Sequence, residues 1–166
     1  MNKNVKTITT DILVLLCMFM IFSFSSMTSS SSNGDSKSII KTSITDGINL
    51  ANNINLIHRT ISASSVDTLV ANLNAPLRKC MHALEYMILA MLIFLLLHYL
   101  KVNNKLIICL AIGLCFLYSC TDEYHQTFID GRTGQFKDCL IDTTGAIIGT
   151  ITCNIYINKH TGKVSV

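Results

Sequence analysis

The sequence predicts an all-α membrane protein: a bundle of four transmembrane helices, with an amphipathic helix in the long first outer loop. Hydrophobic side chains make up 50% of the 166 residues and charged ones only 14%, whereas soluble domains carry roughly 25% charged residues. Four segments are apolar enough to span or nearly span a bilayer, which takes about 20 residues. We therefore treat residues 1–166 as a single membrane domain.

The predicted spans cover about residues 8–24, 80–100, 106–122 and 140–157. The first is dense in Leu, Met and Phe and follows a basic start, as the apolar core of a signal peptide does. However, Asp11 interrupts that basic region, and no small-x-small cleavage site follows Phe24. We therefore interpret the first span as a retained helix.

The predicted outer loop, residues 25–79, opens with a serine-rich stretch that is typical of a flexible segment. Apolar residues then recur at helical spacing: Ile40, Ile44, Ile48, Leu56 and Ile57. This pattern predicts an amphipathic helix that lies against the membrane or the bundle. Pro76 comes just before the second span, where the first turn of a helix accepts proline.

Lysines near the chain ends and in one short loop predict the orientation. They share one side of the predicted bundle: Lys3, Lys6, Lys101, Lys105, Lys159 and Lys163. The opposite side carries seven Lys or Arg, five of them in or at the end of the long loop, so the tight turn 101–105 decides the assignment. We expect a multi-pass protein of the cell membrane with both termini in the cytoplasm. The net charge is +3, but the basic residues form no continuous stripe, which argues against a nucleic-acid partner.

The seven cysteines form no metal-binding pattern, because no Cys-x-x-Cys pair occurs. Four of them lie in apolar segments, where a free thiol acts as a small hydrophobe: Cys17, Cys109, Cys115 and Cys153. Cys120 and Cys139 fall near one membrane face, so a bridge between them is an open alternative.

Polar residues converge on the predicted outer interface from three places in the chain. Arg78, His82 and Glu85 have i, i+4, i+7 spacing and share one face at the start of the second span. The end of the third span and the start of the fourth add further members: Asp122, Glu123, His125, Gln126, Gln135, Asp138 and Asp142. We expect one connected pocket that is open to the outside, with both histidines on the same side. Its predicted members are Arg78, His82, Glu85, Asp122, Glu123, His125, Arg132, Asp138 and Asp142.

Asp142 is followed on the same helical face by Gly145 and Gly149. A Gly-x-x-x-Gly stripe lets a neighbouring helix approach closely. We therefore expect Asp142 to be buried between helices and paired with a basic side chain or with hydrogen-bond donors.

Charged groups are costly in a membrane, at about 2.5–3.5 kcal/mol each near a helix centre on insertion scales. So many charged groups at one membrane interface indicate a functional site. Histidine, carboxylate and arginine side chains together suit acid–base chemistry on a phosphorylated substrate. The candidate catalytic residues are His82, His125, Glu85 and Glu123. The candidate substrate-binding residues are Arg78, Lys79, Tyr86, Asp122, Gln126, Arg132, Gln135, Asp138 and Asp142.

A plain structural interpretation stays open for the same residues. Asp142 and Glu85 can fix helix register by pairing with Arg78 and Lys79, and residues 131–134 can be a simple turn. No His-x-x-x-His or His-Glu-x-x-His pattern occurs, so we predict no metal site, and the sequence identifies no cofactor.

The motifs resemble those of the VanZ-like family of small bacterial membrane proteins. The resemblance lies in residues 78–86, 122–126 and 142–145, which follow Arg-Lys-x-x-His-x-x-x-Tyr, Asp-Glu-x-His-Gln and Asp-x-x-Gly patterns. Phe24-Ser25-Ser26 is similar to the Phe-Ser-Ser turn of the family, although Met27 stands where a glutamine often follows. The family takes its name from a protein linked to low-level teicoplanin resistance, and the resemblance implies no established reaction.

Three functions fit these observations. In the first, the outward polar cluster binds a lipid-linked component of the cell envelope, and the protein also contacts membrane lipids. In the second, the protein is an enzyme that acts on a lipid-linked phosphate, with His82 or His125 as base and Arg78 or Arg132 on the phosphate. In the third, the cluster joins the protein to another membrane protein as a structural partner.

Overall fold

We describe a computed structural model, which covers residues 3–27, 29–53 and 63–161. These residues form five helices and no strand: α1 Lys3–Ser25, α2 Ser29–Asn53, α3 Ala63–Tyr99, α4 Asn104–Gln126 and α5 Phe136–Thr161. Within the described ranges, α1, α3, α4 and α5 are long and apolar enough to cross a membrane. The predicted all-α fold with four spans is therefore confirmed.

Helix α3 is the centre of the bundle and packs against each of the other four helices. Its core face repeats at helical spacing, with Tyr86, Leu89, Ile93 and Phe94 nearly or fully buried. Val14 and Ile21 of α1, Ile107 and Ala111 of α4 and Ala146 of α5 complete this core. The outward faces of the spans also carry large apolar side chains, as expected for helices that meet lipid rather than water.

Helices α3 and α5 are in direct backbone contact at the two glycines of the predicted stripe. A Cβ atom on Gly145 would collide with the carbonyl oxygen of Ala83, and one on Gly149 with that of Met87. The sequence-based expectation of close helix approach at Gly145 and Gly149 is confirmed.

The start of α3 differs from the sequence prediction. The helix begins at Ala63 rather than near residue 80, so Pro76 lies in its interior and not in its first turn. Proline lacks an N–H group, and the carbonyl four residues earlier loses its usual donor. The helix continues because tertiary packing holds it: Val66 and Val70 are buried against α2.

Helix α2 occupies part of the stretch that was predicted as an outer loop. Its apolar side chains Ile40, Ile44 and Ile48 pack on the first turns of α3 rather than on the four-span core. Lys41 Nζ also donates to Asp67 Oδ1 across this contact at 2.8 Å. Leu56 and Ile57, the other apolar positions of the predicted helix, lie outside the described residues.

Helix α3 is longer than the hydrocarbon core of a bilayer is thick. A helix of 37 residues is about 55 Å long at 1.5 Å per residue, whereas the hydrocarbon core is about 30 Å thick. Measured back from the helix end at Tyr99, His82 is about 26 Å away. The polar residues on α3 therefore lie at a membrane boundary, at the end of the bundle opposite the α3–α4 turn.

Candidate functional site

A cavity of about 200 Å³ lies at this boundary, where α4 passes into α5. Its walls come from α3, α4, α5 and the connection between α4 and α5. The lining residues are Ala75, Arg78, Lys79, His82, Glu123, Gln126, Gly131, Arg132, Thr133, Gln135, Asp138, Ile141 and Asp142. Three cationic and three acidic side chains therefore share one small space at the edge of the membrane.

The connection between α4 and α5 is a turn that folds back onto α4. Gly131 has a positive φ of 75°, a conformation that glycine adopts at little cost. Gly134 lies so close to α4 that a Cβ atom there would collide with the carbonyl oxygen of Glu123. The Gln135 N–H donates to Glu123 Oε2 at 2.9 Å and so joins the turn to the helix. The turn lies at residues 127–131 and overlaps the predicted 131–134 only at Gly131, while the irregular residues 132–135 carry Arg132 into the bundle.

Arg132 is buried with only 9% of its surface exposed. One terminal nitrogen, Nη2, donates to the carbonyl oxygen of Phe24 at 3.3 Å, and Nη1 lies 3.5 Å from Gln126 Oε1. Burial lowers the pKa of the guanidinium, and the nearby Arg78 cation acts in the same direction, while Asp122 and Glu123 oppose them. Arginine nevertheless stays charged in proteins, so the cavity contains a partly desolvated cation.

Asp142 lies between helices with 2% of its surface exposed. Its Oδ2 accepts a hydrogen bond from Ser119 Oγ at 2.6 Å. The expected burial and donor pairing are confirmed, and the donor is a serine hydroxyl rather than a basic side chain. Sequence reasoning did not identify Ser119, although it lies three residues before Asp122 on the buried stripe of α4.

Lys79 is paired with Asp138 through an ion pair between α3 and α5. Lys79 therefore pairs with Asp138, whereas the register interpretation paired it with Glu85 or Asp142. Both partners are partly exposed, with 42% of the lysine side chain and 25% of the aspartate side chain accessible. The pair neutralises two of the charges at the cavity entrance.

A second group of polar residues lies at the same end of the bundle but does not line the cavity: Glu85, Asp122 and His125. His82 Nδ1 is 3.5 Å from Glu85 Oε2, and Asp122 interacts electrostatically with both His82 and His125. Gln126 Nε2 donates to Asp122 Oδ2 at 3.2 Å, which connects this group to the lining. The two histidines therefore lie at the same end of the bundle, as expected from the topology.

Several buried polar atoms in this region have no hydrogen-bond partner among the residues that the structure describes. They include His82 Nδ1, Glu85 Oε2, Asp122 Oδ1 and Arg132 Nε. Buried polar groups in proteins are usually satisfied by protein, water or ligand. These atoms are therefore buried donors and acceptors that the described residues leave unpaired.

The structure separates the predicted site residues into two sets. Nine line the cavity: Arg78, Lys79, His82, Glu123, Gln126, Arg132, Gln135, Asp138 and Asp142. Four do not: Glu85, Tyr86, Asp122 and His125. Of these, Tyr86 is fully buried in the hydrophobic core, and His125 lies against Phe22 with ring centroids 4.5 Å apart.

The described residues contain no group of three or more His, Cys, Asp or Glu side chains placed to hold a metal ion. Cys120 and Cys139 are free thiols in the structure, so the alternative of a bridge between them is not observed. The side chains that line the cavity supply guanidinium, ammonium, imidazole, amide and carboxyl groups.

Comparison with known families gives one match, which covers most of the chain. The VanZ/LLP1 family model matches residues 12–157. The chain belongs to the VanZ/LLP1 family. That match includes every residue that lines the cavity, so the cavity is part of the VanZ/LLP1 region. No curated protein and no solved structure matches the chain significantly.

Proposed function

We propose that this VanZ/LLP1 protein binds the phosphate-bearing head group of a lipid-linked component of the bacterial cell envelope. The observation that carries the proposal is the buried Arg132, which lines a cavity at the membrane boundary together with His82 and Arg78. A lipid phosphate lies at that depth in a bilayer. Guanidinium groups bind phosphate oxygens through two parallel hydrogen bonds, which gives both affinity and orientation.

The internal partners of the acidic side chains support an anionic ligand at Arg132, although the lining carries equal numbers of cationic and acidic groups. Asp138 is neutralised by Lys79, while Glu123 accepts the Gln135 N–H and Asp142 accepts the Ser119 hydroxyl. These carboxylates therefore have partners within the protein. The buried Nε donor of Arg132 has no partner among the described residues, and the guanidinium lines the cavity.

The volume of the cavity restricts what enters it. It holds about 200 Å³, which corresponds to roughly seven water molecules at about 30 Å³ each. Sites for drug-sized molecules occupy about 300–1,000 Å³. A phosphate or diphosphate fits in this space. The protein would therefore hold its ligand near the phosphate and leave larger groups outside.

The proposed orientation has the cavity facing the cell exterior and both termini in the cytoplasm. The turn between α3 and α4, with Lys101 and Lys105, supports it through the positive-inside rule. A C-terminal fusion to a fluorescent protein that folds only in the cytoplasm would be bright, and a fusion to periplasmic alkaline phosphatase inactive. The reverse result would place the cavity inside. A site that faces outward would suit the teicoplanin link of the family, because a cell-wall precursor held there would lie on the side of the membrane that the antibiotic reaches.

A second function, hydrolysis at a lipid phosphate, is favoured by one contact. His82 lines the cavity, and Glu85 lies 3.5 Å from its Nδ1. A carboxylate that hydrogen-bonds to one ring nitrogen orients a histidine to act as base through the other, and Glu85 would have to move closer to His82 to form that hydrogen bond. His82 would take a proton from water as the water oxygen bonds to phosphorus. The bond from phosphorus to the lipid oxygen would break, and the protonated His82 would return the proton to that oxygen.

Binding is tested with the full chain in phosphatidylcholine nanodiscs and farnesyl monophosphate as the probe, by isothermal titration. Arg132→Gln should weaken binding by about tenfold to a hundredfold, since a hydrogen bond to a charged group contributes about 1.5–3 kcal/mol. Lys137→Gln is the matched control, because Lys137 is exposed near the same boundary and does not line the cavity.

Equal loss in the two variants would attribute binding to general surface charge and refute the site. Absence of binding by the unaltered protein would refute the proposed ligand class. Release of inorganic phosphate that is lost in His82→Asn, while binding is retained, would establish the hydrolytic function instead.

A further inference from the structure

An apolar groove continues from the cavity toward the middle of the membrane. Its volume is about 410 Å³, and it lies between α3 and α5. The lining residues are Cys80, Ala83, Leu84, Met87, Ile141, Thr144, Gly145 and Ile148. Ile141 lines both the cavity and the groove, so the two spaces are adjacent.

The order of the two spaces along the helices matches the order of head and tail in a lipid. On α3 the cavity is lined by residues within 75–82, and the groove is lined by residues within 80–87. On α5 the cavity takes residues 138–142 and the groove residues 141–148. The seven-residue step from 80 to 87 is about 10 Å long, and it runs from the membrane boundary into the hydrocarbon core.

The groove offers almost no hydrogen-bond donor to an occupant. The Thr144 hydroxyl is the polar side-chain group in it besides the Cys80 thiol, and it donates to the carbonyl oxygen of Leu140 at 2.8 Å. Ester carbonyls of a diacylglycerol lipid would lie next to the phosphate and lose their hydrogen bonds on entering such a groove. A chain that is bonded directly to the phosphate carries no carbonyl group.

We propose that the groove holds the hydrocarbon chain of a prenyl-type phosphate, whose phosphate occupies the cavity. The inference rests on the proposed function and adds to it the class of lipid: a single chain attached to phosphate without a glycerol ester. The floor of the groove is the backbone contact at Gly145, and exposed Leu84 and Ile148 form its walls.

The test is photo-cross-linking in phosphatidylcholine nanodiscs with farnesyl monophosphate that carries a diazirine at the far end of its chain. Labelled positions are read by peptide mass spectrometry, with excess unlabelled farnesyl monophosphate as competitor. We expect competable labelling on Leu84, Met87 and Ile148. Didecanoyl phosphatidic acid at the same mole fraction should compete poorly.

Two variants give a matched comparison on α5. Thr144→Trp fills the groove and should lose the competable labelling. Ile147→Trp adds the same ring to an exposed position that does not line the groove, and should keep it. Both variants are compared at equal yield of inserted protein, and Arg132→Gln should lose competable labelling because it removes the head-group contact.

Each other outcome overturns a defined part of the account. Competable labelling on lipid-facing α4 residues such as Leu114 and Leu117 would refute the groove and leave the head-group site standing. Equal competition by phosphatidic acid would refute the preference for a chain bonded directly to phosphate. If excess unlabelled farnesyl monophosphate reduced the labelling at no position, the groove and the proposed function would both be refuted.

Discussion

Replacing Gly145 by alanine tests the backbone contact that brings α5 against α3. An ideal Cβ at this position lies 2.8 Å from the carbonyl carbon of Ala83 and 3.0 Å from its Cα. Carbon atoms in contact prefer about 3.5–4.0 Å, so the two helices must separate by roughly 1 Å. The obstructing atoms belong to the backbone, which cannot rotate away as a side chain does.

Overpacking of this kind typically costs about 1–3 kcal/mol, and the better helix propensity of alanine returns up to about 1 kcal/mol. We therefore expect Gly145→Ala to lower the free energy of unfolding by about 1–2 kcal/mol. The assay is unfolding in mixed micelles with increasing sodium dodecyl sulfate, followed by far-ultraviolet circular dichroism.

Gly113→Ala on α4 is the control, because no atom lies within 4 Å of a Cβ atom built there. It should be neutral or slightly stabilising, since only the helix-propensity change remains. If Gly145→Ala unfolds at the same detergent fraction as Gly113→Ala, the close contact does not hold the cavity walls together and the packing argument is wrong.

Three further predictions concern the cavity itself. Ser119→Ala leaves Asp142 without its hydroxyl donor and should destabilise the protein by about 1–3 kcal/mol in the same unfolding assay; an unchanged midpoint would contradict this. A double-mutant cycle of Lys79→Ala and Asp138→Ala should give a coupling of about 0.2–1 kcal/mol, because both side chains are partly exposed, and a value several times larger would be inconsistent with that exposure. Arg132→Lys should fail to restore full affinity for farnesyl monophosphate, because an ammonium group lacks the planar pair of donors; full affinity would show that charge alone suffices.

The four spans and the polar end of the bundle follow from the sequence because they depend on local chemistry. Runs of apolar residues identify the spans, and the i, i+4 spacing of Arg78 and His82 places both on one face of α3. Gly145 and Gly149 likewise predict close packing from the sequence alone. Such features need no knowledge of how the helices are rotated against one another.

The features that sequence reasoning missed depend on tertiary packing. Consecutive residues on a helix are about 100° apart, and rotation of α4 places Glu123 in the cavity wall and Asp122 behind it. Ser119 becomes the partner of Asp142 only through the α4–α5 contact. The first turns of α3 contain Pro76 and polar residues, so the sequence does not indicate a helix there. In the structure these turns pack against α2.

The most direct test of the central claim is the distance between Arg132 and the phosphorus of the ligand. Solid-state nuclear magnetic resonance with ¹⁵N-labelled arginine and farnesyl monophosphate in a bilayer measures it through ³¹P–¹⁵N dipolar dephasing. We predict strong dephasing of a guanidinium signal that disappears in Arg132→Gln and persists in Lys137→Gln. Absence of dephasing, or dephasing that Arg132→Gln leaves unchanged, would contradict a phosphate site in the cavity.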